Sequence, residues 1–195
     1  MRKVASAGKR VGRPKNTEVR VREHLTRGEV ETLAAAAKKR GRYGHRDALA
    51  IRMAARHGFR VSELCELRWD QIDLAAGLLH VTRKKNGVPS THPLNGDEVR
   101  ALRQLRRDWP EGRQVFVTER GAPFSRSGLA KMLEAAGKAA GFAFPTHMHM
   151  LRHACGYYYA NRGEDTRSLQ LWLGHKSIQH TVRYSELSAE RFKDW

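Results

Sequence analysis

Between Thr146 and Tyr184 the chain reads THMHMLRHACGYYYANRGEDTRSLQLWLGHKSIQHTVRY, and the side chains best suited to chemistry are gathered there. His149 and Arg152 stand three residues apart in a stretch of helical composition, so they share one face. A turn, NRGED, leads to a second short helix that begins near Thr166 and stops at Leu173-Gly174-His175, and Tyr184 follows His175 by nine residues. Basic and hydrogen-bonding groups, a His placed just after a Gly helix stop and a downstream Tyr make a set able to hold a phosphodiester and attack it. A tyrosine is a competent nucleophile when neighbouring cations stabilise its phenolate.

Three pieces in this order and spacing, His149-Met150-Leu151-Arg152, Leu173-Gly174-His175 and Tyr184, resemble the active-site signature of the tyrosine recombinases. The wording HMLRHACG with DTRSLQLWLGHKSIQHTVRY is similar to that of the short fimbrial phase-switch invertases of bacteria. The resemblance extends to Gly58-Phe59-Arg60-Val61-Ser62-Glu63, where it implies a catalytic role for Arg60, with Glu63 near enough to orient that guanidinium. It also implies a catalytic Lys in a hairpin turn, which falls on Lys85, with Lys84 as the alternative.

The residue types suit the reaction that this resemblance implies. Attack by Tyr184 on a phosphodiester passes through five-coordinate phosphorus with extra charge on its equatorial oxygens. Arg60 and Arg152 can each donate two hydrogen bonds to them in a fixed fork that Lys would match less well, and His175 can add another. By the same resemblance Lys85 protonates the leaving 5′-oxygen, while His149 helps to deprotonate or orient the tyrosine. Fixed cations replace a metal, so neither metal nor cofactor is expected. The covalent 3′-phosphotyrosine conserves the bond energy, and rejoining needs no ATP. His153, directly after Arg152, is expected to point away from the His149/Arg152 face in a structural role. Of Tyr157, Tyr158 and Tyr159, at least one is expected in the core.

The charge balance agrees with a polyanionic partner. The 195 residues carry 37 Lys and Arg against 20 Asp and Glu, a formal net charge of +17, and nucleic acid is the first candidate. A mean hydropathy of −0.66 and no apolar run near the length of a membrane span speak against a membrane partner. No apolar secretory leader is expected. Cys65 and Cys155 lack metal-ligand spacing and read as buried thiols of a reducing cytoplasm. Eight Lys and Arg lie within residues 1–24, which read as a basic tail. Within it Gly12-Arg13-Pro14-Lys15 resembles the core of a minor-groove AT-hook, which would set Arg13 and Lys15 on DNA. Read instead as a solvated charge run, the tail touches phosphate without sequence preference.

The elements that must carry these groups are legible in turn. Thr26-x-x-Glu29 is a capping box with Leu25 and Val30 as its hydrophobic staple, predicting a helix over 27–40 that stops at Gly41. A second helix spans about 46–57 and stops at Gly58, and Ser62 is expected to cap a short helix through Leu67. Leu78–Thr82 and Ser90–Pro93 read as the strands of a hairpin turning at Lys84-Lys85-Asn86-Gly87, with Lys84 a candidate DNA contact. Asn95-x-x-Glu98 opens a helix to Asp108, Gln114–Thr118 reads as a strand, and Ser125–Ala140 as a helix.

The expected fold is α+β, mostly helical, with a small antiparallel sheet in one catalytic domain, residues 25–195, behind the basic tail. Integrases usually carry a further helical DNA-clamping domain ahead of the catalytic one, and here Leu25 already opens the catalytic domain. The resemblance implies double-stranded DNA with paired recombination sites as substrate, a homo-tetramer on that DNA, and a cytoplasmic, nucleoid-associated protein without membrane contact. Inversion, excision or integration, and the need for accessory DNA-bending proteins, stay open. Rival readings are a type IB topoisomerase-like enzyme, a catalytically silent DNA-binding regulator of the same fold, and a charge-driven nucleic-acid protein.

Overall fold

A computed structural model of the chain describes residues 22–84 and 87–186. Helix α1, Arg27–Lys39, starts at the capping box read from sequence: the Thr26 hydroxyl accepts from the Glu29 amide, and the Glu29 carboxylate accepts from the Thr26 amide at 2.8 Å. Helix α2, Gly44–His57, begins two residues before expectation and ends at Gly58, whose φ of 61° is the left-handed conformation that suits glycine. These two helices pack on each other, and α2 packs in turn on α6, Met148–Asn161, the helix of the His149/Arg152 motif. Leu33, Ala34, Ala50, Met53 and Leu151 fill the seam.

Helix α3, Val61–Cys65, is shorter than expected and is not capped by Ser62. Arg60 occupies the cap position, and its amide donates to the Glu63 carboxylate at 2.9 Å. Glu63 takes over the work of a cap because it also anchors charges arriving from elsewhere. The sheet has the order β1-β2-β3, with β1 Ile72–Asp73, β2 Leu78–Val81 and β3 Ser90–Pro93, all antiparallel. Leu79 pairs with His92 and Val81 with Ser90, so β2 and β3 are the two strands of a hairpin. Helix α4, Gly96–Asp108, starts at the Asn95/Glu98 capping box. Residues 114–118 do not form the expected strand: Val115, Phe116 and Val117 are buried, but Gln114 and Val117 make only isolated bridges to Arg68 and Pro123.

Helix α5, Arg126–Ala139, is capped by Ser125, and α7, Thr166–Leu173, by Asp165. Gly174 ends α7 in the left-handed conformation with φ 66°. Helix α8, Gln179–Glu186, carries Tyr184 and packs on α6 and α7. The fold is thus α+β and mostly helical. Residues 22–24, which the sequence reading assigns to the tail, are pinned to the domain. Arg22 pairs with Glu29 at 2.6 Å, Glu23 with Arg183 at 2.6 Å, and the His24 ring packs on Tyr157 at 4.1 Å. No helix among the described residues is long and apolar enough to cross a membrane.

Candidate active site

The ends of three helices converge with the root of the hairpin. Helices α2 and α7 both finish on a left-handed glycine, so their last carbonyls point into the same seam. Arg152, buried on α6, donates to the carbonyls of Gly58 and Leu173, the latter at 2.8 Å. A cation at two helix C-termini is electrostatically favoured. Its acceptors are neutral peptide groups, which orient the guanidinium without cancelling its charge. Burial and the nearby Arg60 and Arg83 push the Arg152 pKa down to about 10. The guanidinium still carries its proton at neutral pH.

Arg60 lies at the start of α3, with Nη1 donating to Glu63 Oε1 at 2.7 Å. The structure thus brings Arg60 and Glu63, paired in the sequence reading, into direct hydrogen-bond contact. The same carboxylate, buried, accepts from Arg83 Nη1 at 3.0 Å and from the Lys84 amide at 3.1 Å. Arg83 above all, with these hydrogen bonds, holds the Glu63 pKa below its ordinary value against the opposing effect of burial. Glu63 thus pairs with both Arg60 and Arg83, while Arg152 donates only to neutral carbonyls, so three guanidiniums meet one carboxylate and two positive charges are left over in a largely buried site. Such a site favours an anion.

His175, just past Gly174, is buried, with Nδ1 2.8 Å from the Thr181 hydroxyl. Burial, with Arg152 and Arg60 close by, pushes its pKa down to about 3. Tyr184 is 2% exposed, its ring edge-on to Tyr157 with centroids 5.1 Å apart. Burial raises its pKa to about 12, with Arg152 and Arg183 opposing. Its hydroxyl lies 2.9 Å from Nδ1 of His153.

This last hydrogen bond corrects the sequence reading. His153 does not point away from the His149/Arg152 face: its ring stands edge-on to His149, centroids 4.5 Å apart, and it is His153 that meets the Tyr184 hydroxyl. Four residues separate the two histidines, so the helical repeat brings them to one face, a signal outweighed in the sequence by adjacency to Arg152. Burial, then His149 and Arg183, push the His153 pKa down to about 3. His149 itself is exposed. Lys84 pairs with Glu66 on the surface, whereas Lys85, Arg13 and Lys15 lie outside the described residues. Arg83 and Thr181 had no distinguishing mark in the sequence. Cys65 and Cys155 are free, buried thiols, and burial raises the Cys155 pKa to about 12.

The arrangement can orient an anion between fixed guanidiniums and imidazoles and hold a tyrosine hydroxyl beside it. That combination belongs to covalent phosphodiester exchange. Residues 23–191 match the phage integrase family, and the chain belongs to it. Over 177 residues it is 42% identical to the type 1 fimbriae regulatory protein FimE of Escherichia coli strain K12, covering 88% of this chain and 89% of that protein. Among solved structures, the crystal structure of XerA recombinase superposes with a TM-score of 0.76 at 26% identity, over 88% of this chain and 62% of that one. A lambda integrase tetramer bound to a Holliday junction gives a TM-score of 0.64 at 28% identity, over 80% of this chain and 47% of that one. The protein is an enzyme of the tyrosine recombinase class.

Proposed function

We propose that this recombinase inverts a DNA segment between paired sites, cleaving and rejoining each strand through a 3′-phosphotyrosyl bond to Tyr184. The observation that carries the reading is the Tyr184 hydroxyl, held 2.9 Å from His153 beside a cluster with surplus positive charge. The likeness to a type 1 fimbriae regulatory protein supports inversion as the outcome. The lambda integrase tetramer on a Holliday junction supports a homo-tetramer on DNA. A cytoplasmic, nucleoid-associated location follows from such a substrate.

In this mechanism Arg60, Arg152 and His175 hold the scissile phosphate. Thr181 donates its hydroxyl hydrogen to His175 Nδ1, which puts the imidazole hydrogen on Nε2 for the phosphate. The Tyr184 oxygen attacks phosphorus, the bond to the 5′-oxygen breaks, and Lys85 supplies the proton that the 5′-hydroxyl needs. Tyr184 donates its hydrogen toward His153, with His149 alongside. With the phenol near pKa 12 and the imidazole near 3, the proton does not move in the resting site. A bound phosphate offsets the positive surplus and raises the basicity of His153, which takes the phenol proton as the Tyr184 oxygen bonds to phosphorus. Arg13, Lys15 and Lys84 are proposed contacts to the DNA backbone or groove.

A nicked suicide substrate, which traps the covalent adduct, tests the reading. Tyr184→Phe should form no adduct while binding DNA as the wild type does. An adduct at wild-type level, or one transferred to Tyr157, Tyr158 or Tyr159, overturns the assignment.

A further inference from the structure

Arg83 reads in the sequence as the first of three cations entering a polar turn, a place where side chains ordinarily face water. Its side chain is instead 0% exposed. Nη1 donates to Glu63 at 3.0 Å and reaches the Gly58 carbonyl at 3.4 Å, while Nη2 donates to the carbonyls of His57, at 3.0 Å, and Trp172. The remaining donor, Nε, is buried without a hydrogen-bond partner. All four Nη hydrogens of Arg83 therefore have protein acceptors, whereas Arg152 uses only one on each terminal nitrogen, so Arg152 keeps hydrogens for a phosphate and Arg83 does not.

The acceptors show what the residue joins. Arg152 spans the end of α2 at Gly58 and the end of α7 at Leu173, and Arg83 spans the same two peptide stretches one residue earlier in each. Through Glu63, Arg83 also shares its anion with Arg60. The backbone makes room for it. A Cβ at Gly87 would lie 2.8 Å from the Arg83 Cβ and 2.7 Å from the Gly174 carbonyl, and one at Gly174 would lie 2.8 Å from the Val88 carbonyl and strike the Arg83 side chain.

We propose that Arg83 is a positioning residue for strand cleavage, fixing Arg60 and Arg152 relative to each other by clamping the hairpin to Glu63 and to the ends of α2 and α7. The inference rests on the recombinase reading above and extends it. Arg83 holds in place the two groups that would touch the phosphate, and it sets the hairpin at Lys84 against them.

The test uses the full chain with Arg83→Met, which keeps an apolar stem and removes the fork, and Arg83→Lys, which keeps a charge that cannot bridge the same acceptors. Single-turnover cleavage is measured on two nicked suicide substrates. One has an ordinary scissile phosphate, and the other a methylphosphonate, in which an uncharged methyl replaces one non-bridging oxygen. A misaligned guanidinium pair matters less where the transition state carries less charge. Both variants should bind DNA within about threefold of wild type and cleave the phosphate about 10²-fold more slowly, on the scale of a misplacement near 1 Å. The deficit should shrink to about tenfold or less on the methylphosphonate. A purely structural role lowers the folded fraction and slows both substrates equally, so an unshifted ratio overturns the proposal, as does wild-type cleavage of the phosphate. If Arg83→Met does not fold, the ratio for Arg83→Lys decides. Absence of adduct from the wild type would overturn the recombinase reading, whereas wild-type adduct with an unshifted ratio overturns only the role of Arg83.

Discussion

Replacing Gly156 with Ala probes how finely the nucleophile is seated. Gly156 lies within α6, and the Tyr184 ring covers it so closely that an added Cβ would stand 2.7 Å from two ring carbons. Ordinary van der Waals contact begins near 3.4 Å, so the ring must retreat by about 0.7 Å. A retreat of that size lengthens the separation between the Tyr184 hydroxyl and His153 from 2.9 Å to at most about 3.6 Å, the edge of useful hydrogen bonding. Misplacing a reacting group by about 1 Å costs on the order of 10²-fold in rate. Stability changes far less: overpacking costs about 1–3 kcal/mol, while Ala in place of Gly in a helix returns about 1 kcal/mol. Gly156→Ala should therefore melt within roughly 8 °C of wild type and bind DNA normally. Its single-turnover adduct formation should fall about a hundredfold. Wild-type adduct rates from this variant would refute the view that the docked position of Tyr184 is the attacking one.

The general acid is separable by substrate chemistry: Lys85→Ala should regain cleavage when sulfur replaces the bridging 5′-oxygen, since a thiolate leaves unprotonated, and rescue of Lys84→Ala instead would move the role by one residue. Acid should weaken the fold, because His153 and His175 are held down to about 3. Lowered pKa values mean fewer bound protons in the folded chain, so this stability is complete above about 6.5 and is withdrawn as pH falls toward 3. The loss is about 2 kcal/mol per histidine by pH 5, and equal denaturant midpoints at pH 7.5 and 5 would contradict it. A chain lacking residues 1–21, which hold seven Lys and Arg, should fold normally yet bind DNA more weakly. The slope of log K against log salt should flatten by about 0.9 for each phosphate that the tail no longer neutralises, and an unchanged slope places the tail off the DNA.

What could be read in advance was what local chemistry decides. The capping boxes at Thr26/Glu29 and Asn95/Glu98 and the glycine stops at Gly58 and Gly174 involve residues a few positions apart, and each stands where the sequence put it. The grouping of Arg60, Arg152, His175 and Tyr184 was expected from a family resemblance rather than from local chemistry, since these residues lie far apart along the chain. Misreadings arose where tertiary contacts outvote local ones. Val115-Phe116-Val117 has the composition of a strand, yet no neighbouring strand continues past single bridges, so burial is achieved without a ladder. Ser62 is a good cap by type, but Glu63 takes the Arg60 amide because two cations already hold its carboxylate in place. Arg83 could not be told from its exposed neighbour Lys84, since its acceptors come from residues 20, 25 and 26 positions upstream and 89 downstream.

The anchoring of residues 22–24 has a mechanical consequence. Glu23 grips Arg183, the neighbour of the nucleophile, and His24 rests on Tyr157, the ring against which Tyr184 stands. Load applied to the N-terminal segment thus enters the domain at α1, through Arg22 and Glu29, and also at α6 and α8, one ring away from the Tyr184 hydroxyl. The exposed Glu23–Arg183 pair resists with less than about 1 kcal/mol, and the tilted contact of His24 on Tyr157 adds to it. Two of the three attachments of residues 22–24 thus lie beside the attacking group, so part of any tension on this segment is delivered to the seat of Tyr184.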